Sequence, residues 1–173
     1  MRPAVALFAS SRRHGNTGQL MDWVAGALKI EVIDLGRQTM SAFDYEHKNR
    51  GDDFEPLLDR VLEFEQIVFA SPVYWYAMSP PMKVFIDRIS DLLELPDLLE
   101  KGRRLRGKVA HVLCTSIEDA ATPCFVTAFR ETFNYLGMRS GGLLHANCRD
   151  GYLPALYEKD VNNFIDQLRD GAR

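Results

Sequence analysis

Pro3-Ala4-Val5-Ala6-Leu7-Phe8-Ala9-Ser10-Ser11-Arg12-Arg13-His14-Gly15-Asn16-Thr17 is the stretch on which the fold turns. An apolar run breaks abruptly into a polar loop rich in hydroxyls and basic side chains. From Thr17 to Lys29, Leu20, Trp23, Val24, Ala27 and Leu28 then recur at helical spacing. The pattern is strand, loop, helix. A secretory leader has a similar outline, but its apolar core runs ~7–15 residues and follows its basic residues. Here Ala4 to Ala9 is shorter, and Arg12 and Arg13 come after it. The segment is therefore read as a first strand and its loop.

The same alternation continues downstream. Ile30 to Leu35 reads as a second strand closed by Gly36, and Arg37 to Asp52 shows no period and reads as a long loop. Phe54, Leu57, Leu58, Val61 and Leu62 form a helical stripe, and Gln66 to Ser71 a third strand ended by Pro72. Met82, Phe85, Ile86, Ile89 and Leu93 predict one helix, and Lys108 to Thr115 a fourth strand. Phe125, Phe129, Phe133 and Leu136 mark a helix stopping at Gly137, a left-handed cap. Met138 to Ala146 is the fifth strand, weakened by Gly141 and Gly142, and a helix through Val161, Phe164, Ile165 and Leu168 follows.

Strands alternating with helices predict an α/β fold: a doubly wound, five-stranded parallel sheet with helices on both faces. The leading strand order is 2-1-3-4-5, and residues 1–173 are read as a single domain. In such folds ligands sit beyond the carboxyl ends of the strands, where the order reverses. The loops after strands one, three and four should then line the site.

Composition narrows the class. A charge of −3 and a 26% share of charged residues argue against a nucleic-acid binder or a binder of anionic membranes. Three cysteines, Cys114, Cys124 and Cys148, lack metal-ligand spacing and fit a reducing cytoplasm. No apolar run nears the ~18 residues that span a bilayer. The four histidines are scattered, so no metal site is expected. His111 reads as a packed or hydrogen-bonded core residue, Cys114 as a buried hydrophobe, and His14 as the histidine nearest the site.

The first loop leaves two readings open. A helix start presents unpaired N–H groups and the positive end of its dipole; Ser10, Asn16 and Thr17 add donors and Arg12 a charge. Those are the parts of a phosphate cradle. Alternatively, Asn16 or Thr17 merely caps the helix and the arginines are solvated. Neither G-x-G-x-x-G nor G-x-x-x-x-G-K-[ST] is present, since Ser11, His14 and Asn16 stand where those motifs need glycines and a lysine. The third loop, Ser71-Pro72-Val73-Tyr74-Trp75-Tyr76-Ala77-Met78-Ser79-Pro80-Pro81, carries three consecutive aromatics that cannot all enter one core. They suit the wall of a flat ring system, an oligomer contact, or both. Asp87 and Arg88 read as members of ion pairs. The basic run from Lys101 to Lys108 is a solvated connection or a holder for the extra phosphate of NADPH.

Ser10-x-Arg12-x-x-Gly15-Asn16-Thr17, Pro72-Val73-Tyr74-Trp75 and Met82-Lys83-x-Phe85-x-Asp87-Arg88 together resemble the NAD(P)H-dependent FMN reductases. The resemblance covers nearly the whole chain. It implies a flavodoxin-like fold, FMN as cofactor, NADPH or NADH as donor, and a homodimer or homotetramer. It implies that Ser10, Arg12, Asn16 and Thr17 contact phosphate, and that Pro72, Val73, Tyr74 and Trp75 contact the ribityl chain or the ring. It also implies that the loop after strand four, Thr115-Ser116-Ile117-Glu118-Asp119, approaches the ring's other side. The implied reaction moves electrons from NAD(P)H to a flavin, quinone or similar small acceptor in a ping-pong cycle, with no dedicated catalytic residue. A flavodoxin-type electron carrier is the alternative. The chain departs from the family pattern at Ala9, where a glycine is usual, and at Ser116-Ile117-Glu118-Asp119, where a glycine-rich loop is usual. Related iron–sulfur flavoproteins carry a cysteine cluster between strands two and three; Ser41 to Asp53 has none, so no cluster is expected.

Overall fold

Five parallel strands build the sheet in the computed structural model, which describes residues 2–171. The elements in order are β1 (Arg2–Phe8), α1 (Asn16–Leu28), β2 (Glu31–Asp34), α2 (Phe54–Val61), β3 (Phe64–Pro72), α3 (Pro80–Arg88), α4 (Asp91–Glu94), α5 (Leu99–Arg103), β4 (Val109–Ser116), α6 (Pro123–Tyr135), β5 (Arg139–Asn147) and α7 (Pro154–Asp170). The order across the sheet is β2-β1-β3-β4-β5, as expected.

The central strands are apolar on both faces because both faces are covered. Val5, Leu7, Ile67, Phe69 and Val112 pack on one side with Phe54, Phe85, Phe125 and Phe129 of the helices. Ala4, Ala6, Phe8, Val68 and Leu113 pack on the other with Leu20, Val24, Val161 and Phe164. This is the burial that makes a parallel strand read as a continuous hydrophobic run.

One expected helix is broken. The stripe from Met82 to Leu93 divides into α3 and α4, with a turn at Ile89 and Ser90. Periodicity survives the break because Ile89 and Leu92 both remain buried. The Arg88 guanidinium, fully buried, reaches forward to Asp91 at 2.7 Å and across to Asp52, over the ring of Phe54. The expected ion-pair role of Arg88 is thus met inside the protein, and Asp87 pairs with Lys83.

The long loop before α2 is held by polar tethers. Asp52 accepts from the Ser41 amide and Asp53 from the Thr39 amide. His47 Nδ1 lies 2.9 Å from Asp91. Gly137 is left-handed at φ +69, as its place after α6 requires.

The glycines that weaken the fifth strand have a steric reason. A Cβ on Gly141 would stand 2.5 Å from the His111 ring, so the glycine makes room for that imidazole. The register between β4 and β5 shifts at this point, between Ala110 and Val112.

Candidate functional site

Where the strand order doubles back, a cleft of 380 Å3 opens beyond the carboxyl ends of β1, β3 and β4. That size lies within the usual ~300–1,000 Å3 of small-molecule sites. The structure brings all ten sequence-selected residues into its lining. Ser10, Arg12, Asn16 and Thr17 come from the first loop, Pro72, Val73, Tyr74 and Trp75 from the third, and Thr115 and Ser116 from the end of β4.

The first loop wraps the start of α1. Gly15 stands at the N-cap in extended backbone and brings no side-chain acceptor. Capping by Asn16 or Thr17 is therefore not what these residues do. Thr17 is buried and its hydroxyl meets that of Thr115 at 2.7 Å, which ties the first loop to β4. The first turn of α1 holds no acidic side chain, so its amides and dipole keep their positive character at the cleft. Ser10 Oγ accepts from the Arg12 amide at 3.4 Å.

The two arginines divide their work. Arg13 donates to both oxygens of Asp22, at 3.0 and 2.6 Å, and lies over the Phe8 ring. It clamps the loop to α1. Arg12 lines the cleft, and no described residue pairs with its guanidinium.

The third loop makes a tight turn. Tyr74 and Ala77 exchange backbone hydrogen bonds at 2.9 and 3.0 Å, with Trp75 at φ +48 and Tyr76 at φ +67 between them. Two left-handed residues in succession are a type I′ turn, normally the place of Asn and Gly. Large aromatics there carry backbone strain, and strain of this kind collects at functional sites. Trp75 is 93% exposed. The loop is anchored on both sides. Ser79 Oγ donates to the Ala9 carbonyl, the Val73 amide donates to the Thr115 carbonyl, and the Tyr74 hydroxyl meets Ser11 Oγ at 2.8 Å.

At the end of β4 the hydroxyl of Ser116 meets His145 Nε2 at 2.8 Å and accepts from the Glu118 amide. Burial holds the His145 imidazole below its ordinary pKa. The acidic pair separates: Glu118 lines the cleft, while Asp119 accepts from Asn147.

Three positions escaped sequence reasoning. Gly18 is indispensable to the first loop, since a Cβ there would stand 1.8 Å from the Arg13 carbonyl oxygen. Thr122 and Cys148 also line the cleft. Cys148 follows β5, a strand whose loop the order 2-1-3-4-5 does not put at the switch point. Burial pushes its thiol up to about 11, and that of Cys114 up to about 12, so neither is a thiolate near neutral pH. His14 lies outside the cleft lining. The basic run before β4 sits at the start of that strand, so it does not hold a nicotinamide phosphate in this chain's own cleft, which is at the strand's end.

Comparison with known proteins agrees with this architecture. Residues 3–143 match the family described as NADPH-dependent FMN reductase. YwqN of Bacillus subtilis, named as an NAD(P)H-dependent FMN-containing oxidoreductase, is 27% identical over 140 residues, spanning 76% of this chain and 77% of that one. Among solved structures, the Trp repressor binding protein from Bacillus subtilis superposes with a TM-score of 0.67 at 23% identity, over 98% of this chain and 95% of that one. An FMN-dependent NADH-azoreductase from Bacillus anthracis, in complex with FMN, reaches 0.71 at 12% identity and covers all of both chains. These superpositions show the shared fold.

Proposed function

Because the chain belongs to the NADPH-dependent FMN reductase family, we propose that its cleft holds FMN through the ten residues named above and serves electron transfer from NAD(P)H to a flavin, quinone or similar small acceptor. Bound FMN supplies a ring that takes up a hydride from a reduced nicotinamide and yields the electrons to an acceptor. Everything else is the work of the chain's own residues.

The residues present fit the cofactor. The uncapped first turn of α1 and Arg12, whose guanidinium pairs with no described residue, together form an anion cradle in a loop whose path Gly18 permits; the carboxylate in the cleft lining, Glu118, comes from the loop after β4. Ser10 and Asn16 add donors at its edge. At the other end of the cleft, Pro72, Val73, Tyr74 and Trp75 offer a stiff apolar wall for a planar ring. Distances between these loops are fixed by the Thr17–Thr115, Val73–Thr115 and Tyr74–Ser11 bonds, so the cradle and the wall are preorganised. That pairing of an electropositive loop with an aromatic wall in one cleft is the observation that carries the proposal.

The order is ping-pong: the oxidised nicotinamide leaves before the acceptor enters the same mouth. No side chain is assigned as an obligatory acid or base, and Tyr76 shapes the mouth. We further assign a homodimer or homotetramer, in which a neighbouring subunit covers the Trp75–Tyr76 tip; 93% and 61% exposure of these rings supports it. Among the described residues no helix is long and apolar enough to cross a membrane, and three free cysteines suit a reducing cytoplasm.

Visible spectra test the proposal. The protein is mixed with FMN, and the spectrum is read before and after anaerobic NADPH. A perturbed flavin spectrum that bleaches supports it, and parallel double-reciprocal plots support the ping-pong order. A bound flavin that both NADPH and NADH leave oxidised would point to an electron carrier. No flavin binding would overturn the site assignment.

A further inference from the structure

A second cavity, of 390 Å3, opens at the opposite end of the sheet, at the start of β4. Its lining includes Arg104, Arg106, Lys108 and Arg139, against one carboxylate, Glu65. The distance from Lys108 to Thr115 along β4 is about 23 Å at ~3.3 Å per residue, so this cavity is separate from the cleft.

Among the described residues these cations form no ion pair. Lys108 is only 7% exposed, and its ammonium donates to the carbonyls of Leu62, at 3.0 Å, and Phe64. Its third N–H has no acceptor among the described residues. Arg104 reaches the Leu62 carbonyl and Arg139 the Gly107 carbonyl with one nitrogen each. The Arg106 side chain has no hydrogen-bond acceptor among the described residues. None of the four has a described carboxylate within ion-pair distance, whereas Arg13, Arg60, Arg88 and Lys101 elsewhere all do. Burial, and then the neighbouring Arg104, pull the Lys108 pKa down against the opposing Glu65. A protein of net charge −3 thus holds four like charges together around a cavity with a single carboxylate, Glu65, in its lining. An anion would relieve that repulsion.

We propose that this cavity is a binding site for a small organic phosphate, held by the guanidinium groups of Arg106 and Arg139 and the free donor of Lys108. Guanidinium forks match phosphoryl oxygens in pairs. Four positive charges call for a ligand carrying two or more negative ones, and 390 Å3 leaves room for an organic body beside the phosphoryl group. The proposal does not depend on the assignment of the cleft.

Thermal unfolding with sodium pyrophosphate as probe tests it. The FMN-saturated protein is titrated at constant ionic strength, balanced with sodium chloride. A ligand that binds only the folded state raises Tm saturably. Expected is such a rise in the parent protein, with the apparent affinity lowered about tenfold by Arg106→Gln and by Arg139→Gln. Glu65→Gln should tighten binding, and Arg103→Gln, an equal charge change outside the cavity, should leave it unaltered. If no flavin binds, the Arg12→Gln background silences the cleft loop instead. Three results would overturn the proposal: no saturable rise, a rise that survives both cavity-arginine substitutions, or an equal loss in Arg103→Gln.

Discussion

Acidification should destabilise the protein through one imidazole. His111 is 1% exposed in the middle of β4. Its Nδ1 accepts from the Gly142 amide at 2.8 Å, so the ring proton sits on Nε2 and is donated to Gln66 Oε1 at 2.9 Å. Gln66 in turn donates to the Leu168 carbonyl in α7. The neutral ring is fully used, and a second proton would face the Gly142 N–H. Burial pulls its pKa from 6.5 to about 4. Through that window the unfolded chain binds a proton and the folded chain does not. The stabilisation is therefore complete above the unfolded value and is lost as pH falls towards the folded one. Linkage with these two values gives a loss of ~2 kcal/mol between pH 8 and pH 5. That is a large share of a typical ~5–15 kcal/mol. Urea unfolding of the parent and of His111→Gln, at pH 8 and pH 5, measures it. The stability gap between the two proteins should narrow by ~2 kcal/mol on acidification. His145 and the carboxylates titrate in both proteins and cancel. An equal gap at both pH values would refute the argument.

Four further substitutions test the same structure. Arg12→Gln should weaken FMN binding roughly 10- to 100-fold by fluorescence titration, the worth of a charge-assisted phosphate contact. Arg13→Gln should instead lower Tm and shift affinity less, and equal effects would contradict the division between the two arginines. Trp75→Asn suits the left-handed backbone and should leave folding stability unimpaired while reducing the particle mass in light scattering. An unchanged mass would remove the tip from the subunit interface. Arg88→Met removes the guanidinium that Asp52 and Asp91 share, and should cost ~3–5 kcal/mol in denaturant unfolding. A loss below ~1 kcal/mol, the value of a surface pair, would show that the triad is not a buried anchor.

The strands and the loops that line the cleft were readable because both depend on local contrasts in the chain, whereas the strand order came only as the leading choice for a doubly wound sheet. The apolar runs at Ala4–Ala9 and Gln66–Ser71 end in polar or proline-rich loops, and the sheet topology brings those ends together. Other features depend on contacts that no local pattern records. Gly18 looks like any helical glycine until Arg13 folds back over it. The turn at Ile89 and Ser90 preserves the apolar spacing on either side, so periodicity passes through it unmarked. Cys148 reaches the cleft from the far edge of the sheet, outside the loops that the topological rule selects. The segment from Ser41 to Asp53 has no period because its order comes from carboxylates bonding to backbone amides.

The position of β1 bears on how the chain is made. It precedes the other four strands along the chain, yet it lies inside the sheet between β2 and β3. Its backbone partners on the second side begin at Phe64, 56 residues beyond Phe8. At ~5–20 residues per second, a ribosome needs roughly 3–11 s to supply them. Throughout that interval the nascent chain carries Ala4-Val5-Ala6-Leu7-Phe8 with one edge unpaired, a segment of low charge suited to chaperone capture or to pairing with another chain. The cleft matures later still, since Thr115 and Ser116 must emerge before the first loop has its lasting partner. Slower translation would lengthen that exposure, so the yield of folded protein should depend on elongation speed between residues 9 and 72 more than on speed beyond β4.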